Sequence, residues 1–199
     1  MNDTNSNVKA TASNQVWAVK GEGTNGAIQL QSTGFYIPYS AGDDGSIQAG
    51  VPLTAPRFID KGNGTLVDTM TGLTWLKQAD CISGTWSDAL ATVNTLASGR
   101  CDLSDGSSAG QWHMPNRNEL QSLSDRAQTN LAEYFDYTCL NKDGSVFQAP
   151  IFFNYIELQY YWTSTTDAAD PTEAWTVFSC DFGIYDIPKT SVGYSLAVR

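Results

Sequence analysis

Hydrophobic and polar positions change period several times along the chain, and each change marks an element. Residues 1–15 are polar, hold no aromatic side chain and read as a linker. Val16-Trp17-Ala18-Val19 and Ala27-Ile28-Gln29-Leu30-Gln31 alternate with period two, as short strands do, and a glycine-rich run from Gly21 to Gly26 turns the chain between them. Residues 32–56, with Gly42-Asp43-Asp44-Gly45, Pro52 and Pro56, read as an extended loop that wraps the domain. Gly62-Asn63-Gly64 then separates two strand-like runs and supplies the positive backbone dihedrals that a tight hairpin needs. From Thr85 the period becomes helical: Thr85-Trp86-Ser87-Asp88 forms a cap, Trp86, Leu90, Val93 and Ala97 recur on one face, and Gly99 ends the helix.

Gln111 to Leu120 is the densest stretch of local signals. Trp112 and Met114 alternate with His113 as in a half-buried strand, Pro115 cannot continue a ladder, and Asn116 with Glu119 three residues later reads as a helix N-cap and its reciprocal partner. Leu120 and Leu123 give this second helix a buried face, and it runs to about Ala127. A segment rich in aromatics follows, including Tyr134, Phe135, Tyr137, Phe147, Phe152, Phe153, Tyr155, Tyr160 and Tyr161, with little regular period. Three strands close the chain, near Tyr161 to Ser164, Ala174 to Cys180 and Gly193 to Val198. Two helices, antiparallel strands and long irregular loops make an α+β domain. The organisation is a flexible segment 1–15, an extension 16–56 and a main domain 57–199.

Composition narrows the function. A 41% hydrophobic share over 199 residues suffices for one substantial core. The formal charge of -10 repels phosphate backbones, so nucleic acid is not an expected partner. No run of 18 apolar residues exists to span a membrane. Residues 1–7 carry neither the basic nor the apolar part of a signal peptide. Four cysteines and a lysine-poor, Ser/Thr/Asn/Gly-rich chain nevertheless favour an exported domain, secreted or on a bacterial cell surface. Cys81 and Cys101 bracket the first helix, and Cys139 and Cys180 flank the irregular stretch. Pairing each with its neighbour is the preferred one of three connectivities, with free buried thiols as the rival reading. Without C-x-x-C spacing and with a single His, a zinc site is not expected.

Candidate chemistry is sparse. A nucleophile needs an organised base, and the one histidine, His113, lies in a strand beside Pro115. Glu119 is assigned to the cap. Asp167 with Asp170, or Asp181 with Asp186, is the type of carboxylate pair that hydrolyses glycosides, but loop aspartates are common in an acidic protein. Asp60, Asn63 and Asp68 fail the EF-hand spacing and read as turn formers, whereas the glycine-flanked Asp43-Asp44 pair is more open to a cation. No enzyme is expected and no cofactor is required. Calcium stays open, with its ligands unassigned.

The Trp112 to Leu120 wording resembles the W-R-L-P-N-x-x-E-L signature of the Legionella collagen-like (Lcl) C-terminal domain family, with His113 in place of the arginine. Arg57 to Asp68, Thr71 to Lys77, Tyr161 to Thr165, Ala174-Trp175 and Val198-Arg199 extend the resemblance. Leu196 and Ala197 stand where that family usually has a second arginine and a cysteine. A more distant likeness is to formylglycine-generating enzymes, whose reactive cysteine pair near the chain end has no counterpart beside Cys180. The resemblance implies a C-type lectin-like fold, a homo-oligomer such as a trimer, and a ligand-binding role as an adhesin or receptor-binding tip. It also implies that loops between the final strands converge on one face, which makes Thr165, Asp167, Trp175, Asp181, Tyr185, Asp186, Lys189, Thr190 and Tyr194 the candidate ligand-binding residues. The expected partner is a glycan or protein receptor on another cell. The calcium-dependent sugar motifs of animal C-type lectins are absent. A structural pilus or fibre subunit, and a retroelement-diversified binding protein varied over residues 185–199, are the alternatives.

Overall fold

A hairpin built on two glycines opens the first sheet. In the computed structural model, which describes residues 32–33, 37–51, 56–123, 153, 159–179 and 183–199, β1 (Phe58–Asp60) and β2 (Thr65–Asp68) pair antiparallel with Asp60 opposite Leu66. Gly64 has φ +83°, and a Cβ there would meet the Asp102 carbonyl oxygen at 2.4 Å, so the turn needs glycine twice over. β3 (Thr74–Leu76) joins the other side of β2 to complete a three-stranded sheet. The hairpin is locked by a buried ion pair. Arg57 and Asp68 side chains are 3% and 0% exposed, with Nε and Nη2 donating to the two carboxylate oxygens at 3.0 and 2.7 Å.

A second, five-stranded sheet has the order β4-β8-β5-β6-β7, from β4 (Ser83–Gly84), β5 (Tyr160–Thr166), β6 (Glu173–Phe178), β7 (Ile184–Pro188) and β8 (Gly193–Tyr194). Every pairing in it is antiparallel except β5 with β8. The chain end ties the two sheets together: Leu76 N–H donates to Ala197 O, and His113 and Val198 exchange backbone bonds at 2.9 and 3.0 Å. Both faces of this region are buried. Tyr161, Leu196 and Val198 enter one core cluster with Phe58, Trp75 and Leu120, while Trp162 and Ala197 enter another with Val93, Trp112 and Met114. Alternate residues thus feed opposite cores, which is why the chain end reads as a continuous apolar run.

Three short helices complete the described structure: α1 (Asp44–Ile47), α2 (Trp86–Asn94) and α3 (Arg117–Ser122). α3 begins with the capping box expected from Asn116 and Glu119. Thr85 caps α2 as expected, but that helix stops at Asn94, because the Thr95 N–H reaches back to carbonyls of the last turn. Leu96, 0% exposed, therefore occupies the core in place of Ala97. Gly99, with φ +92°, serves the following turn and donates its N–H to Leu103 O. The extended-loop reading of residues 32–56 is corrected by α1, whose N-cap is Asp43. The loop reading around Tyr185 and Asp186 is corrected by β7, a strand that alternates around β6 and ends on a proline, as only an edge strand can.

Cys81 and Cys101 form a disulfide with Cα atoms 5.6 Å apart. Cys139, Cys180 and Asp181 lie outside the described residues, as do the strands expected at 16–19 and 27–31, the continuation of the second helix beyond Leu123 and the aromatics from Tyr134 to Phe152 and at Tyr155. No described helix is long and apolar enough to cross a membrane.

Candidate functional site

The site is built where α3 docks on a bulge of β5. Trp162 pairs with Thr176 and Thr166 with Ala174, so β5 carries more residues than β6 over this interval. Such a bulge bends the strand and re-aims its side chains. The chain before α3 is held by Ser164 N–H donating to Pro115 O at 2.9 Å, and α3 itself by Arg117 N–H donating to Thr165 Oγ1 at 3.0 Å. The Arg117 guanidinium then lies over the Trp175 ring, 4.4 Å from its centroid. Thr165 and Trp175 are thus half-buried and each is held by a contact with Arg117.

Three carboxylates stand beside these two residues. Trp175 on β6 lies directly opposite Asp186 on β7, Glu173 is two residues before Trp175 on the same face, and Asp167 follows β5. Their ligand oxygens all lie within 4.8 Å of one another. Asp167 N–H donates to Glu173 O at 3.1 Å, and the following turn is fixed by Asp167 Oδ1 accepting from Ala169 N–H at 3.1 Å. The Glu173 carboxyl is held above its ordinary value, first by desolvation and then by Asp186, with Asp170 and Asp167 adding to the repulsion. Asp170 moves the other way, held below the usual range by the Thr172 hydroxyl and N–H. The trio is an all-oxygen set suited to a hard cation or to an ammonium or guanidinium group. A calcium ion takes six to eight oxygens, so three partly exposed carboxylates would leave the rest of its shell to water and ligand.

Of the residues picked from sequence, Thr165, Asp167, Trp175 and Asp186 converge here. Tyr185 does not, because it is adjacent to Asp186 on a strand and so faces the other side, where its ring meets Tyr160 at 5.7 Å. Lys189 is a tether: its Nζ donates to Thr166 Oγ1 at 2.8 Å and Pro171 O at 2.9 Å and sits 4.4 Å above the Trp86 ring. Thr190 is exposed in the turn that follows. Tyr194 lies across the sheet on β8, its ring packed beside Tyr161 at 5.8 Å. Glu173 was missed. Its signal was an acid two residues before a strand tryptophan, on the same face.

The other candidates are occupied by structure. Glu119 Oε2 accepts from Asn116 N–H at 2.8 Å, and His113 Nε2 lies 3.1 Å from Glu119 Oε1, with no nucleophile in the pair. Asp43 caps α1, and Tyr39, Ser40 and Ser46 N–H groups hold its carboxyl below the ordinary value, the Tyr39 bond most strongly. Asp44 accepts from the Thr33 hydroxyl. Asp60 accepts from Lys77 Nζ and Gly62 N–H, Asn63 from the Thr65 hydroxyl, and Asp68 from Arg57, Met70 N–H and the Thr71 hydroxyl, so these three serve separate partners. A family model for the Lcl C-terminal domain matches residues 64–199. Comparison with curated proteins finds no match.

Proposed function

The chain belongs to the Lcl C-terminal domain family, and from that premise we propose that it is a ligand-binding module of C-type lectin-like fold, secreted or displayed on a bacterial surface. It acts as an adhesin or receptor-binding tip, and it recognises a glycan or protein receptor through the face formed by Thr165, Asp167, Trp175, Glu173 and Asp186. The convergence of Thr165, Asp167, Trp175 and Asp186 on one braced patch carries this reading. A fixed aromatic edge next to carboxylate acceptors suits the mixed apolar and hydroxyl surface of a sugar or the side chains of a peptide. The disulfide between Cys81 and Cys101 fits an oxidising location. Binding is favoured over turnover because His113 and Glu119 are engaged with each other and with the cap of α3.

The test is a glycan and peptide array probed with oxidised protein, with calcium and with a chelator. A binder is expected whose signal falls at least tenfold for Asp167→Ala and Asp186→Ala and is unchanged for Ile59→Ala, an exposed residue of β1. An array without any binder, or a binder indifferent to both aspartates, would overturn the proposal.

A further inference from the structure

Among the described residues the outer edge of β7 is open: β7 is the terminal strand of its sheet and pairs there with β6 alone. Phe178 N–H donates to Gly183 O and Lys189 N–H to Thr172 O, which fixes the phase of the ladder: residues 183, 185, 187 and 189 turn their backbone groups toward β6. Ile184 and Asp186 therefore point their N–H and C=O groups outward, and neither has a backbone partner among the described residues. Pro188 ends this row with no N–H to offer and with its carbonyl taken by Ser191 N–H at 2.8 Å. What is left is a short unpaired edge that offers two donors and two acceptors, which an antiparallel strand can satisfy.

Charge decides what fits the edge. Asp186 is exposed, and its side chain shares a face and a 4.8 Å neighbourhood with Asp167 and Glu173. A second copy of this chain pairing β7 to β7 would bring two such acidic sets together in a molecule of charge -10, so self-pairing is opposed. A cationic side chain directly across from Asp186 faces that carboxylate, with oxygens of Asp167 and Glu173 within 4.8 Å of it. It also relieves the repulsion that holds the Glu173 carboxyl high.

We propose that the β7 edge takes up an extended basic segment of a partner protein as an added antiparallel strand, with Lys or Arg opposite Asp186 and seated among Asp167, Glu173 and Asp186. This inference rests on the reading of the same face as a binding surface and names its ligand class. The backbone of Ile184 and Asp186 supplies the affinity that is independent of side chains, and the carboxylates supply the preference for a basic partner.

The experiment uses the oxidised full chain and three blocked seven-residue peptides, read by calorimetry. One alternates Thr and Lys, one replaces every Lys by Glu, and one is the Lys peptide N-methylated on alternate backbone amides. The Lys peptide is expected to bind, with the Glu and the N-methylated peptides at least tenfold weaker. Asp186→Lys, at an exposed position, is expected to weaken the Lys peptide at least tenfold. Equal binding of the N-methylated peptide would overturn the proposal in favour of simple charge attraction. So would failure of the Lys peptide while a glycan on the array still binds, an outcome that leaves the ligand-binding reading standing. A dimer in sedimentation that the Lys peptide dissociates would place a second copy at the edge and also overturn it.

Discussion

Replacing Asp68 by Asn should be among the most damaging conservative changes in this chain. The Asp68 carboxylate is fully buried and accepts from Arg57 Nε at 3.0 Å, Arg57 Nη2 at 2.7 Å, Met70 N–H at 3.0 Å and the Thr71 hydroxyl at 3.0 Å. An amide has the same shape, but it has one acceptor oxygen and no charge, and its NH2 would face a donor of the guanidinium. Arg57 would stay buried while losing its ion-pair partner at Asp68, a change that costs about 3–5 kcal/mol. That is a large fraction of the roughly 5–15 kcal/mol that separates folded from unfolded domains. Arg57 also donates to the Ser122 and Leu123 carbonyls at the end of α3, so the loss reaches from the first hairpin into the helix that braces the site. Guanidinium chloride unfolding of the oxidised protein, followed by tryptophan fluorescence, should show a lower midpoint at an unchanged slope. In a double-mutant cycle with Arg57→Met, the double variant should lose about 2 kcal/mol less than the two singles combined, because neither charge is then stranded. A loss under about 1 kcal/mol for Asp68→Asn, or strict additivity in the cycle, would refute the argument that this pair is buried and mutually compensating.

Acidity provides a second check through Glu173, whose carboxyl is held above its ordinary 4.5 by desolvation and by its acidic neighbours. A raised carboxyl favours the protonated form in the folded state, so its ionisation weakens the fold above that value and protonation restores stability as pH falls through it. Glu173→Gln should therefore melt higher than the parent at pH 7, with the difference shrinking to nothing as pH drops below about 4. A lower melting temperature for the variant at pH 7 would show that the trio attracts rather than repels. Reduction of Cys81–Cys101, which closes a loop of sequence separation 20, should cost about 3 kcal/mol in the chain-entropy account. Unfolding midpoints with and without reductant, or for paired Cys→Ser changes, measure it directly.

Local signals were legible wherever a short run of residues determined the outcome. Thr85, Asn116 and Glu119 fix helix starts through bonds spanning three residues, and Gly62 and Gly64 fix a hairpin through their own dihedrals, so each is visible without the fold. The Cys81–Cys101 pairing was legible as well, since the two residues flank one helix. Features that need distant partners were hidden. Arg57 and Asp68 looked like ends of a hairpin because nothing in the sequence says that Ser122 and Leu123 will cover them.

The candidate site was half legible for a related reason. Ile184-Tyr185-Asp186-Ile187-Pro188 does alternate, but an acid and a proline in five residues argue for a loop unless the strand lies at an edge, and edge position belongs to topology. Once β7 is a strand, period two decides the rest: Asp186 joins Trp175 and Glu173 on one face, and Tyr185 is sent to Tyr160 on the other. The same two residues that disguised the strand also shape what it can bind. Pro188 ends the open row of donors and Asp186 sets its sign, so the edge is short enough to resist indiscriminate pairing and acidic enough to select among partners.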